Sequence, residues 1–174
     1  MSESVRKHRQ SAPKHVRVAV LTISDTRTAK TDTGGDTIEE LMRSAGHEVA
    51  ARGIVRDDAA CIRTKLLDLL ARSDVDAVIT TGGTGISARD TTYEVVDRML
   101  EKRLDGFGEI FRMLSYEEIG AAAVLSRAVA GAVGTKLVAC LPGSRNAVRL
   151  AVEKLLVPEI AHVVFELRKH REGR

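Results

Sequence analysis

Two hydrophobic periods alternate along this chain, and that alternation narrows the fold more than any other feature. Five short apolar or β-branched runs read as strands, at 16–23, 47–55, 75–81, 127–133 and 136–141. Between them, apolar residues recur at helical spacing. Ile38, Leu41, Met42 and Ala45 mark a helix over 37–45, which Gly46 ends. Ile62, Leu66, Leu69 and Leu70 mark one over 59–71, and Val96, Met99 and Leu100 one over 91–100. A longer helical stretch covers 106–124. Val148, Ala151, Val152 and Leu155 mark a helix over 146–156, and a last one covers 157–168, where Pro158 predicts a kink or a fresh start. Gly134 and Thr135 predict a hairpin between the last two strands.

Strand–helix–strand alternation predicts an α/β fold, a three-layer sandwich around a mostly parallel sheet. Such a sheet is covered on both faces, which accounts for strands with little polar alternation. Right-handed crossovers then bring the loops at the strand carboxyl ends to one edge. The expected boundaries are a single domain at 15–168 between basic tails at 1–14 and 169–174.

Charge is located at the ends. The net charge is +3, but residues 1–17 hold five Lys/Arg against one Glu, and residues 168–174 four against one. The stretch 18–167 is therefore net acidic, the opposite of a nucleic-acid-binding body. There is no Trp and only five Phe and Tyr. The core must be aliphatic, and base-stacking platforms are disfavoured. No run reaches the roughly 18 apolar residues of a membrane span, and the charged N-terminus lacks a signal-peptide core. The expected setting is cytoplasmic, with neither nucleic acid nor membrane as partner. Cys61 and Cys140 stand far apart with no C-x-x-C pair, which argues against zinc and for two buried thiols.

The strand carboxyl ends carry the candidate chemistry. The first ends in Ser24-Asp25, the second in Asp57-Asp58, and the third in Thr81-Gly82-Gly83-Thr84-Gly85 with Asp90 soon after. The run at 136–141 ends in Pro142-Gly143-Ser144. Each has a bland alternative: a strand-end turn at Ser24-Asp25, helix caps at Asp57 or Asp58 and at Asp90, a turn and cap at 142–144. Three glycines in four residues are harder to explain that way, because glycine costs conformational entropy unless the backbone needs it. Free N–H groups in such a loop hold phosphate oxygens. Carboxylates beside a phosphate imply an intervening Mg²⁺, so Asp25, Asp57 and Asp90 are candidate ligands.

Competing motifs fail on context. Gly83-x-Gly85-x-x-Ala88 fits a dinucleotide fingerprint, yet a fresh cap follows it and no strand ends in an acid about 20 residues on. There is no P-loop and no nucleophile elbow. His8, His15, His47, His162 and His170 all lie outside the four loops. Chemistry by positioning and charge is therefore favoured over a histidine mechanism.

These residues resemble a known family. Thr80 to Gly85 followed by Ala88-Arg89-Asp90-x-Thr92 resembles the signature of the molybdenum-cofactor biosynthesis family, which includes MogA and MoaB proteins and the G domains of gephyrin-type proteins. Leu21 to Asp25, Gly106 to Arg112, Leu125-Ser126-Arg127 and Leu141 to Ser144 are similar to its other blocks. The likeness covers about 15–165, and the run 108–131 is closest to the MoaB branch.

The resemblance implies a homotrimer or hexamer that transfers AMP from ATP to molybdopterin with Mg²⁺, giving adenylyl-molybdopterin and pyrophosphate. It makes Asp90 and Asp57 catalytic and the expected Mg²⁺ ligands. It makes Gly82, Gly83, Thr84 and Gly85, with Thr81, the phosphate- and pterin-binding loop. Ser24 and Asp25 would line the nucleotide side, and Pro142, Gly143 and Ser144 would close the pocket. Other enzymes of the same pathway are the implied partners. Two departures stand out: Arg56 and Tyr93 occupy positions where active relatives often carry proline. The alternative is a molybdopterin-binding MoaB-type protein without turnover.

Overall fold

In the computed structural model, residues 13–169 are described, so most of both expected basic tails, with His8 and His170, lies outside the described residues. The strands are β1 (Arg17–Ile23), β2 (Glu48–Val55), β3 (Ala77–Thr81), β4 (Lys102–Arg103), β5 (Val129–Val133) and β6 (Lys136–Leu141). The helices are α1 (Thr33–Ser44), α2 (Ala59–Ala71), α3 (Thr92–Met99), α4 (Asp105–Ile119), α5 (Arg145–Ala151) and α6 (Val157–Arg168). One six-stranded sheet has the order β2-β1-β3-β6-β5-β4. The first four strands in that order are parallel, while β5 is antiparallel to β6 and to β4. The sheet is thus mostly parallel, and the hairpin turns at Gly134-Thr135 as expected.

Successive strand residues feed two separate cores. Val18 and Val20 of β1, Ala77 and Ile79 of β3, and Leu137 and Ala139 of β6 pack with Ile38, Phe111, Val148 and Ile160 of α1, α4, α5 and α6. Ala19 and Leu21, Val78, and Val138 and Cys140 pack with Ile62, Leu66 and Val96 of α2 and α3. Both faces are covered, which makes three layers and explains the strands' weak polar alternation. Apart from Phe111 and Met42, the largest fully buried side chains are aliphatic, as the composition requires.

Several boundaries differ from expectation for identifiable reasons. Helix α1 starts at Thr33 rather than 37, because buried Asp32 caps it by accepting from the Gly35 N–H at 2.9 Å. Gly34 and Gly35 hide that start, being poor helix formers. The stretch 106–124 divides at Gly120, whose φ of +61° ends α4 before a 3₁₀ segment at Gly120–Leu125. The helix expected over 146–156 continues through a π turn at Val152–Leu156 into α6. Pro158 sits in the first turn of α6, and the widened turn before it accommodates a residue with no N–H to donate. The two-residue strand β4 was too short to leave a hydrophobic period. Of the two thiols expected inside, Cys140 is buried, but Cys61 is exposed in the first turn of α2. Both are free.

Candidate functional site

The chain leaves β1 through α1 to β2 on one side and returns through α2 to β3 on the other, with α1 and α2 on opposite faces. The strand order reverses at β1, and the crevice outside its carboxyl end is where an open α/β sheet takes a ligand. The four candidate loops meet there. Ser24 N–H donates to the Val55 carbonyl at 2.9 Å, and Gly82 N–H to the Leu141 carbonyl at 3.2 Å. The Thr81 hydroxyl donates to the Pro142 carbonyl at 2.8 Å. Asp57 N–H donates to Asp25 Oδ1 at 3.3 Å.

The acidic residues divide their labour. Asp58 caps α2 by accepting from the Cys61 N–H at 2.9 Å, a bond that holds its carboxyl below the usual range. That leaves neighbouring Asp57 to reach across the crevice. Asp57 Oδ1 accepts from the Thr91 hydroxyl at 3.1 Å and the Thr91 N–H at 3.3 Å. Asp90 is not the cap of α3; Thr91 holds that position, with its hydroxyl turned to Asp57 and no side-chain capping bond to the helix. The Asp90 carboxylate instead accepts from the Ser87 N–H at 3.0 Å and folds back over Gly85.

Gly82 and Gly83 are required by a left-handed backbone, and at Gly82 (φ +98°) a Cβ would stand 2.3 Å from the Ile23 carbonyl oxygen. Gly83 has φ +63°, and a Cβ there would stand 2.2 Å from the Thr92 hydroxyl and 2.6 Å from Asp57 Oδ2. A Cβ at Gly85 would stand 2.7 Å from Asp90 Oδ2. The loop therefore lies directly against both candidate carboxylates. The helix after the loop does not open at Gly85 but at Thr92, so the dinucleotide fingerprint lacks its helix.

Two clefts flank the glycine loop, and Gly143 lines both. One, of about 110 Å³, is lined by Thr22, Ser24, Arg27, Asp32, Thr81 and Gly82. The other, of about 310 Å³, is lined among others by Thr84, Gly85, Ser126, Pro142 and Ser144. Ser24 Oγ is engaged in its own turn, accepting from the Thr26 and Arg27 N–H groups at 3.2 and 3.1 Å. Ser144 caps α5, accepting from the Ala147 N–H at 3.3 Å. The bland and functional roles of these residues coexist. Asp57 and Asp90 flank the loop and line neither cleft. A larger cavity, about 720 Å³, lies elsewhere, over β5 and β6 between α4 and α6. Its lining is mainly apolar, including Phe107, Ile110, Leu155 and Ile160, with Arg103, Asp105, Lys154 and Glu159 among its charged members.

Asp25 is committed to the loops. It pairs with Arg89, and Arg56 Nε stands 3.9 Å away. This compensated carboxylate organises the crevice rather than adding free negative charge. Among the described residues, no group of three or more His, Cys, Asp or Glu side chains is placed to hold a metal ion. Mg²⁺ commonly uses one or two carboxylates and completes its octahedron with substrate phosphates and water. Asp57, packed against Gly83, and Asp90, packed against Gly85, are the carboxylates that would serve in that way. The described histidines are elsewhere: His47 is buried and accepts from the Val16 N–H, and His15 and His162 bond to Gly46 and Glu159.

Three residues escaped sequence reasoning. Asp32 has a cap signature that the following glycines obscured. It also accepts from the Thr22 hydroxyl at 2.8 Å and pairs with Arg52 at 2.9 Å. Arg27 donates to the Thr31 carbonyl at 2.7 Å and lines the smaller cleft. Arg127 stands in a block that resembles the family, but its bond to the glycine loop, made from the segment just before β5, was not among the expectations.

Fold and site together define an α/β protein with a glycine-loop, carboxylate-flanked ligand edge at the switch point of its sheet. A family model described as "Probable molybdopterin binding domain" matches residues 19–162. The molybdenum cofactor biosynthesis protein B of Bacillus cereus is 50% identical over 167 residues, which cover 95% of this chain and 99% of that protein. A crystal structure of a molybdenum cofactor biosynthesis protein B superposes with a TM-score of 0.89 at 50% identity, covering 92% of this chain and all of the other. The tungsten cofactor synthesizing protein MoaB of Pyrococcus furiosus gives 0.81 at 38% identity, over 90% of this chain and 99% of its own. The chain belongs to the molybdenum cofactor biosynthesis family that includes MoaB and MogA. No helix among the described residues is long and apolar enough to cross a membrane.

Proposed function

We propose that this protein adenylylates molybdopterin, joining the AMP of ATP to the terminal phosphate and releasing pyrophosphate. The observation that carries this is a positive-φ glycine loop at the sheet's switch point with Asp57 against Gly83 and Asp90 against Gly85. Loop N–H groups from Gly83 to Gly85 suit phosphate oxygens, and clefts lie on either side of Gly82 and Gly143. Arg27 places a cation in the smaller cleft, which suits the nucleotide side beside Ser24 and Asp25.

In the proposed reaction an oxygen of the molybdopterin phosphate attacks the α-phosphorus of ATP in line. The bond from that phosphorus to the bridging oxygen breaks, and the electron pair leaves with pyrophosphate. The glycine-loop N–H groups bind the charge that develops on the non-bridging oxygens. Asp57 and Asp90 would hold Mg²⁺, which when bound supplies charge neutralisation for the triphosphate. The proposed assembly is a homotrimer or hexamer. Leu104, Ile110, Met113, Tyr116 and Ile119 leave α4 and its approach with exposed apolar surface, which suits self-association.

A second reading, molybdopterin binding without turnover, draws on Arg56. It stands where active relatives often have proline, and here it approaches Asp25. One incubation separates the two. Protein, molybdopterin, ATP and Mg²⁺ are mixed, with an ATP-free control, and products are resolved by chromatography and mass. Adenylyl-molybdopterin formed only with ATP supports the enzyme. Bound molybdopterin without product supports the carrier.

A further inference from the structure

We propose that Arg127 is a positioning residue of this site: it grips both ends of the segment that carries Asp90 and sets the direction of the Gly85 amide. The proposal deepens the adenylyltransferase reading and rests on it for the identity of the ligand.

Arg127 lies just before β5, outside all four strand-end loops. Its Nε donates to the Thr84 carbonyl at 2.8 Å. Its Nη1 and Nη2 donate to the two carboxylate oxygens of Glu94 at 2.7 and 3.1 Å. The guanidinium carbon stands 4.5 Å from the centroid of the Tyr93 ring. Thr84 precedes the segment 85–91, and Tyr93 and Glu94 follow it. One planar cation therefore joins the two points between which the Asp90 loop is strung. Only arginine offers a two-pronged fork, a further Nε donor and a flat face for stacking at once. The Arg127 side chain is 26% exposed and that of Glu94 44%, so the pair is partly solvated and acts by its fixed two-pronged geometry more than by its strength. The same bond holds the Glu94 carboxyl below its usual range.

The consequence for the ligand follows from peptide geometry. No peptide bond among the described residues is cis. In a planar trans peptide the carbonyl and the next N–H point in opposite directions. Drawing the Thr84 carbonyl toward Arg127 therefore turns the Gly85 N–H away from it. Thr84 and Gly85 both line the 310 Å³ cleft, and Gly85 is also the residue against which Asp90 packs. A single contact thus aims an anion donor and seats a carboxylate. It also gives Tyr93 a role as the platform under the cation.

The test compares wild type with Arg127→Lys and Glu94→Gln in two measurements that do not require turnover. The first is hydrogen exchange in ligand-free protein at the bonded amides of Ser87, Asp90, Thr91 and Thr92. The second is the Kd for inorganic pyrophosphate. Arg127→Lys should speed exchange at those amides by about tenfold, leave β1 and β6 amides unchanged, and raise the pyrophosphate Kd by roughly fivefold or more. Glu94→Gln should move both in the same direction by less, since it loosens one prong. In an active enzyme, KM for ATP should rise more than kcat falls. Wild-type exchange at the four amides in Arg127→Lys overturns the proposal. So does accelerated exchange spread evenly over the whole sheet, which marks a merely structural residue. If wild type binds neither pyrophosphate nor molybdopterin, the adenylyltransferase reading fails, and the exchange measurement still decides the role of Arg127.

Discussion

The Asp57 carboxylate accepts from both the hydroxyl and the N–H of Thr91, at 3.1 and 3.3 Å. The end of β2 is thereby bonded to the residue between Asp90 and α3. Its other oxygen faces the backbone of Gly83. Asp57→Asn keeps the shape and an acceptor for Thr91 but removes the charge. Adenylyl transfer should fall by roughly 10²–10³-fold, the range for losing one electrostatic contact to a transition state. The melting temperature should stay within a few degrees. Initial rates of adenylyl-molybdopterin formation check the first point, and thermal unfolding the second.

Asp90 bonds only within its own turn and leans on Gly85. Its removal should leave the fold intact, because α3 is not capped by it. Asp90→Ala should lower turnover by orders of magnitude, on the scale of about 10²-fold or more, with an unchanged circular dichroism spectrum. Near-normal turnover would remove Asp90 from the catalytic assignment.

The glycine loop is constrained sterically as well as chemically. At Gly83 the backbone is left-handed, and an added Cβ would press on the Thr92 hydroxyl and the Asp57 carboxylate. Gly83→Ala should destabilise by about 1–3 kcal/mol. For a chain of this length that lowers the melting temperature by roughly 2–4 °C per kcal/mol. Ligand binding should weaken further than the stability loss explains, since Asp57 is displaced. Gly106→Ala is the control: nothing lies within 4 Å of a Cβ there, and φ is not left-handed.

Much of this was legible in the residues. Strand and helix periods gave the layers, because burial on both sheet faces leaves a strong hydrophobic signal. The glycine run marked the loop, since three such residues are rarely kept without backbone need. The division between Asp57 and Asp58 was legible only through the family resemblance, not from the residues' own pattern. Either can cap α2 on sequence grounds, and the crossing bond to Thr91 separates them. Asp25 read as a turn residue or a Mg²⁺ ligand, because its partner Arg89 lies 64 residues away. Arg127 and Thr84 are separated by 43 residues. Contacts of that span have no period and no spacing, so composition and motif cannot carry them.

At the opposite end of the sheet, Asp76 predicts acid sensitivity that is independent of catalysis. It precedes β3 and accepts from the Arg17 N–H at 2.8 Å and from Arg17 Nη2 at 2.7 Å. Arg168, at the end of α6, binds the same carboxylate. Burial works against ionisation, yet the two arginines hold the Asp76 carboxyl down to about 2, from an ordinary 3.8. A folded pKa below the unfolded one stabilises the fold above the unfolded value and loses that stability as pH falls through the folded value. The Asp76 side chain is 5% exposed, so solvent screens little, and the contribution at neutral pH is about 2 kcal/mol. Unfolding free energy should therefore drop by that amount between pH ~4 and pH ~2. Asp76→Asn should start lower at pH 7 and lose less across the same window. Denaturant titrations of both proteins at pH 7, 4, 3 and 2 make the comparison; parallel losses in the two would show that the acid step resides in other carboxylates.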